Sequence, residues 1–314
     1  MKGDRAVPGL RLVWMMLAAL AAWPAGASPP PARQAPASQD HAVRPPRLQV
    51  SHRARAIAPG EALLLTVTAP VALSEVRGTA FGRDFIAFAG PAPDTWHALI
   101  GIDLETRPGR SVITVEAKGT AGPVLRSRVP LIVAAKSFPT RRLSVPPAFV
   151  TPPASERARI ERERARLAKV FAAVSARPLW GEGFARPTGG EVISRFGARS
   201  VYNGQARTPH RGIDIRGAAG TPVAAPAGGT VVLAEDLYFS GTTVILDHGL
   251  GVFSLLCHLS RLDVREGAAV ARGDTVGAIG ATGRVTGPHL HWTLRIGPAS
   301  VDPMSVLSVL GLPR

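Results

Sequence analysis

Three short stretches carry side chains able to do chemistry: "PHRGIDI" (209–215), "CHLS" (257–260) and "TGPHLHW" (286–292). In the last, His289 and His291 stand two residues apart. On a strand both rings would lie on one face, with Leu290 turned to the other. In the first, His210 and Asp214 stand four apart, but Pro209, Gly212 and the β-branched Ile213 and Ile215 argue against a helix. A straight strand would hold their Cα atoms about 13 Å apart, too far to share one metal ion. The chain is therefore expected to bend at Arg211-Gly212, where glycine relaxes the backbone. His258 follows the apolar run "VFSLLC". This predicts a partly buried imidazole on an interior strand, with Cys257 turned to the opposite face as packing.

Imidazole plus carboxylate is suitable chemistry for zinc, and a catalytic zinc takes three protein ligands and keeps one position open. His210, Asp214 and one of His289 and His291 would supply two nitrogens and one oxygen. The remaining member of the pair and His258 are then free to handle protons and developing negative charge. Spacing alone leaves open which of His289 and His291 takes the metal. His248, in "LDHGLGVF", falls at a predicted hairpin tip and reads as structural. His52 and His97 read as structural or surface residues, since neither has a carboxylate or second histidine at ligand spacing.

The elements that must position these residues can be read along the chain. Residues 1–27 have the form of a secretory signal: Lys2, Arg5 and Arg11 flank "LVWMMLAALAAW", and Ala25-Gly26-Ala27 forms a cleavage site. That run is shorter than the ~20 residues a membrane span needs, and no later stretch is long enough. The expectation is an exported protein of the periplasm or cell envelope, with no membrane span after cleavage. Residues 28–46 read as a Pro-rich disordered linker. From 47 to 135, short β-type runs recur about every ten residues between turn signals, which predicts an immunoglobulin-like β-sandwich. Residues 136–180 combine a Pro-rich linker with an amphipathic helix over about 154–175, marked by Ile160, Leu167, Phe171 and Val174. Its charged residues read as a solvated face with intrahelical ion pairs. Residues 181–314 return to period-two runs and read as an antiparallel β domain, without P-loop, GxGxxG, GxSxG or HExxH signatures. The fold class is mostly β: an N-terminal sandwich, a connecting helix and a C-terminal antiparallel sheet bearing the histidines.

Composition narrows the partners. A single cysteine, Cys257, rules out an intramolecular disulfide and any zinc site built on two or more cysteines. The formal charge of +15 suits an anionic partner. With 5% aromatic residues and no RNP, zinc-finger or helix-turn-helix signature, nucleic acid is not expected, which leaves anionic envelope polymers.

"HRGIDI", "CHLS" and "GRVTGPHLHW" occur in that order, with "SRFG" before the first and "VREGAAVARGDTVGAIGATG" before the last. Together they resemble the motifs and β core of the lysostaphin-type (LytM-like) zinc metallopeptidases of bacterial peptidoglycan, over roughly residues 190–303. By position, the resemblance implies His210, Asp214 and His291 as zinc ligands. It implies His258 and His289 as the residues that activate water and stabilise an oxyanion. The implied activity is a zinc-dependent endopeptidase acting on peptide cross-links or stem peptides of peptidoglycan, of a periplasmic branch with an N-terminal β domain. Two departures stand out: Cys257 precedes His258 where the family often has a small or polar residue, and Trp292-Thr293 replaces an aromatic-acidic pair. The alternative is a non-catalytic LytM-like wall-binding module that activates an amidase. Such modules typically lack ligands, whereas all five residues are present in this chain. "VREGAAVARGDTVGAIG" also resembles biotinyl or lipoyl carrier hairpins, which need a modifiable lysine, and none follows Lys169. A closed structural zinc site would need a fourth protein ligand, and no cysteine is placed to provide it.

Overall fold

Alternating runs such as "ALLLTVT" and "SVITVEA" become strands that each bury every second side chain. The computed structural model describes residues 47–122, 124–144, 152–181 and 183–311. The expected signal (1–27) and first linker (28–46) lie outside the described residues, as do 145–151 of the second Pro-rich passage.

Eight strands come first: β1 Gln49–Ala54, β2 Ala62–Thr68, β3 Leu73–Ala80, β4 Arg83–Ile86, β5 Phe88–Ala89, β6 Thr95–Gly101, β7 Gly109–Gly119 and β8 Val124–Val133. They form two four-stranded antiparallel sheets, ordered β1-β2-β6-β5 and β4-β3-β7-β8. Leu63, Leu65 and Val67 of β2 share a core with Ile113, Val115 and Ala117 of β7, as facing sheets with period-two side chains require. The likeness of this pair of sheets to an immunoglobulin fold stays an expectation from sequence.

A short strand, β9 (Thr140–Leu143), leads on to a 3₁₀ turn at Ala154–Glu156 and helix α1, Arg157–Ala172. The helix lies inside the predicted span and ends where Ala173 turns extended. Leu167, Val170 and Phe171 pack on Leu233, Leu237, Ile245 and Phe253. Its charged residues do more than face solvent. Arg159 pairs with Glu163 within the helix, but Arg159 also reaches Asp236, and Arg166 reaches Glu235 and Glu266. Exposed pairs of this kind contribute ~1 kcal/mol or less each, so they orient the helix while the apolar contacts hold it.

The remaining strands are β10 Val192–Ser194, β11 Arg199–Tyr202, β12 Gln205–Ala206, β13 Ile213–Arg216, β14 Pro222–Ala224, β15 Gly229–Leu237 and β16 Gly241–Asp247. They continue with β17 Val252–Leu262, β18 Ala269–Val270, β19 Thr275–Ile279, β20 His289–Ile296 and β21 Ala299–Val301, before helix α2, Pro303–Leu310. Ten of them form one antiparallel sheet whose main path runs β10-β13-β20-β17-β16-β15-β18. A separate small sheet orders β12-β11-β9.

The large sheet has two unlike faces. One buries Ile213, Ile215, Leu256, Leu290, Trp292 and Leu294 in the main core. Each such side chain contributes about 1.5–3 kcal/mol by leaving water, which pins the register of β13, β17 and β20. The other face carries α1 along part of its width and all the polar alternates of β13 and β20.

The described residues belong to one compact unit. Arg55 bridges Glu61 and Asp302, the Ala62 amide donates to Ser305 Oγ, and the Asp302 amide donates to the Gly60 carbonyl. Burial pushes the Glu61 carboxyl up, but Arg55 and Lys136 outweigh it and hold it below the usual range. Asp302 also caps α2 by accepting from the Met304 amide, with Pro303 at the first helical position. Among the described residues, no helix is long and apolar enough to cross a membrane.

Candidate metal centre

Strands β13 and β20 pair so that Asp214 stands opposite His291 and Ile215 opposite Leu290. Directly opposed residues share a face. The burial of the isoleucines, Leu290 and Trp292 on one side therefore forces Asp214, His289 and His291 together on the other. His291 Nδ1 lies 2.8 Å from Asp214 Oδ1.

His210 reaches the same place from the irregular segment before β13. Its amide donates to the Ala198 carbonyl, and its carbonyl accepts from the Gly197 amide, which ties the bend to the preceding loop. The bend expected at Arg211-Gly212 is present, but the need for glycine has a different origin. A Cβ at Gly212 would sit 2.5 Å from the Trp292 carbonyl and 2.7 Å from Thr293 Oγ1, so close backbone approach is what excludes a side chain. The result places His210 Nε2 3.0 Å from Asp214 Oδ1 and 3.0 Å from His291 Nδ1.

His258 arrives through a β-bulge. The pairing of β16 with β17 shifts between Val244↔Leu256 and Thr242↔Leu259, leaving Cys257 and His258 together opposite one residue. His258 takes a positive φ of 65°, a conformation uncommon outside glycine. This corrects the expected orientation of Cys257. Cys257 pairs with His291 and so lies on the same face as the histidines. Simple alternation fails because the bulge inserts one residue. Cys257 remains packing: it is buried, and burial pushes its thiol up to about 12, so no thiolate is available as a ligand.

The second nitrogens define the tautomers. His210 Nδ1 faces the Arg195 carbonyl at 3.1 Å, so it must donate there and leave Nε2 as a lone pair. His291 Nε2 lies 2.8 Å from Thr293 Oγ1, a hydroxyl able to accept from it and so leave Nδ1 to the centre. His289 Nδ1 donates to the Gly287 carbonyl at 2.9 Å, and His258 Nδ1 to the Thr282 carbonyl at 3.0 Å. Each of the four rings thus uses one nitrogen as an anchor.

The donor set fits a zinc ion. Bonds of ~2.0–2.2 Å at tetrahedral angles separate ligand atoms by about 3.4 Å, and the three atoms stand 2.8–3.0 Å apart, within about half an ångström of that triangle. Two nitrogens and one carboxylate oxygen suit zinc chemically, and their anchored second nitrogens are what a metal-binding imidazole requires. Burial pushes the Asp214 carboxyl up, but the His210 and His291 rings beside it prevail and hold it far below the usual range, so it is an anion. Burial also lowers the basicity of His291. His258 is lowered to about 4, first by burial and then by the neighbouring His291 and His289. The His258 and His289 rings lie 5.0 Å apart, so the two imidazoles outside the triad flank it as a pair.

All five residues singled out in the sequence therefore meet on one sheet face. His248 does not join them. It is buried, donates from Nδ1 to the Gly228 carbonyl and accepts at Nε2 from Ser254. Sequence reasoning missed the supporting groups Thr293, Thr282 and the Arg195 carbonyl. Thr293 could have been found, because period two puts it on the face of His289 and His291. A hollow of about 870 Å³ lies elsewhere, on the first pair of sheets beside Trp96 and Phe85. It contains none of these groups, and convergent donors are a better guide to chemistry than volume.

The chain is similar to known proteins over part of its length. The profile of Peptidase family M23 matches residues 208–303. The peptidoglycan DD-endopeptidase ShyA of Vibrio cholerae is 37% identical over 114 residues, covering 36% of this chain and 26% of that protein. The DD-carboxypeptidase/endopeptidase Mpg of Neisseria meningitidis is 42% identical over 97 residues, covering 31% of this chain and 22% of that protein. The chain thus spans about a quarter of the length of the curated relatives it matches. A crystal structure from Pseudomonas aeruginosa, described as a candidate peptidase M23, aligns with a TM-score of 0.60 at 31% identity, over 81% of this chain and 96% of that one.

Proposed function

Because this chain belongs to peptidase family M23, we propose that it is a zinc-dependent endopeptidase that hydrolyses peptide cross-links or stem peptides of bacterial peptidoglycan in the cell envelope. The observation that carries the proposal is the convergence of His210, Asp214 and His291, flanked by two imidazoles anchored through backbone carbonyls. The relatives named DD-endopeptidase and DD-carboxypeptidase/endopeptidase support peptidoglycan as the substrate.

His210, Asp214 and His291 would hold zinc, which when bound supplies a Lewis acid able to polarise an amide carbonyl. The remaining steps belong to His289 and His258. A neutral ring that donates from Nδ1 to a carbonyl presents Nε2 as a lone pair, so either imidazole can accept a proton from an attacking water. We assign that acceptance to His289, whose Nε2 lies 3.8 Å from Asp214 Oδ1. His258 is neutral at rest because burial keeps its basicity low; the proton taken from water, passed between the two rings 5.0 Å apart, is what lets its Nε2 support the oxyanion. The proton leaves water, rests on an imidazole and ends on the departing amine nitrogen, so none is consumed.

The non-catalytic, amidase-activating reading finds no support in a site where all five side chains are present and oriented. Two measurements test the proposal: the zinc content of the purified protein, and mass spectrometry of peptidoglycan after incubation. Near one zinc per chain and newly cleaved peptides are expected. A folded protein that binds no zinc and leaves every peptide intact would overturn the reading.

A further inference from the structure

Arg216 follows Asp214 by two residues on β13 and stands opposite His289 on β20. Its amide donates away from β20, to the Glu191 carbonyl. Arg216 and His289 are therefore a non-hydrogen-bonded pair, the kind whose Cα atoms approach to about 4.5 Å and whose side chains lie closest. Period two puts its side chain on the face of Asp214 and His291. An arginine thus borders the centre on its His289 side.

Little holds that guanidinium. Its Nε lies 3.6 Å from Glu191 Oε2, and the two side chains are 68% and 72% exposed. Such a loose, solvated pair contributes next to nothing. Arg211, adjacent to His210, differs in being engaged by Glu105 at 2.9 Å. Within the centre, the Asp214 charge is directed at His210 and His291. Arg216 is left with a planar, permanently charged fork suited to gripping a carboxylate through two parallel hydrogen bonds.

We propose that Arg216 is a specificity-determining residue that docks a free carboxylate of the substrate on the His289 side of the scissile bond. This rests on the peptidase reading above and adds a substrate class: peptides bearing an anionic group within reach of the reacting amide.

The test uses the full chain and two synthetic cross-linked stem peptides, identical except that one has free carboxylates and the other is amidated. Wild type should prefer the free acid. Arg216→Ala should lower kcat/KM on the free acid by ~10–100-fold, mainly through KM, as expected for a lost charged hydrogen bond, and change the amidated peptide by no more than about twofold. Arg216→Lys should recover part of the loss, and zinc content should stay the same in both variants. Equal losses on the two peptides, or no loss on either, would overturn the inference. Failure of wild type to cleave either peptide would instead sink the peptidase reading, and this inference with it.

Discussion

His248 and His258 stand near opposite ends of one hairpin, β16–β17, and burial lowers both to about 4. Their surroundings differ in one respect. At the turn end, His248 has both nitrogens engaged: Nδ1–H donates to the Gly228 carbonyl, and Nε2 accepts from Ser254, whose oxygen accepts in turn from Trp292 Nε1. At the bulge end, His258 has only Nδ1 tied, to the Thr282 carbonyl. A low pKa therefore does not distinguish a working histidine from a structural one. What distinguishes them is a second nitrogen left for something other than the fold, and in His258 a strained backbone delivers it.

The comparison can be broken most sharply at the centre itself. His291→Ala removes a ligand, so bound zinc and turnover should both fall to background, measured by metal analysis and peptide cleavage on the same sample. His258→Ala should keep its zinc yet lose ~10²–10⁴-fold in kcat, because only proton handling is removed. Full activity in this variant would place His258 with His248 among the structural rings. Next in size is Thr293→Val, which keeps shape but removes the acceptor for His291 Nε2. It should weaken zinc binding by ~10–100-fold in competition with a chelator, and Thr293→Ser should restore it.

A further effect concerns stability and leaves the centre untouched. His248 titrates near 4 folded against 6.5 unfolded, so between these values the folded state holds fewer protons. Its contribution is complete above about pH 6.5 and is lost as pH falls to 4, by ~3 kcal/mol in total. Chemical denaturation at pH 7 and pH 4.5 should show a larger drop for wild type than for His248→Gln. Identical drops would mean that the ring is not held neutral by its surroundings.

Much of the site is legible before any coordinates. "HLHW" declares a strand with two rings on one face, and burial of Leu290 and Trp292 opposite them agrees. "PHRGIDI" declares a bend followed by an alternating strand, and β13 begins where the β-branched residues do. Other features left no local trace. The requirement at Gly212 comes from the Trp292 carbonyl, some eighty residues away in the chain. The bulge that turns His258 to the centre, and overturns the expected facing of Cys257, exists only in the mismatch between β16 and β17.

By itself, then, the amino-acid order determined which residues share a face, because side-chain alternation is a property of a few consecutive dihedrals. It also determined the donor types, two imidazoles and a carboxylate, and the mostly β character of the chain. Only the tertiary structure decided that Asp214 opposes His291, that His258 joins them, and that His248 is consumed by Ser254 and Gly228. These depend on register and on one inserted residue, which long-range hydrogen bonds and core burial select together.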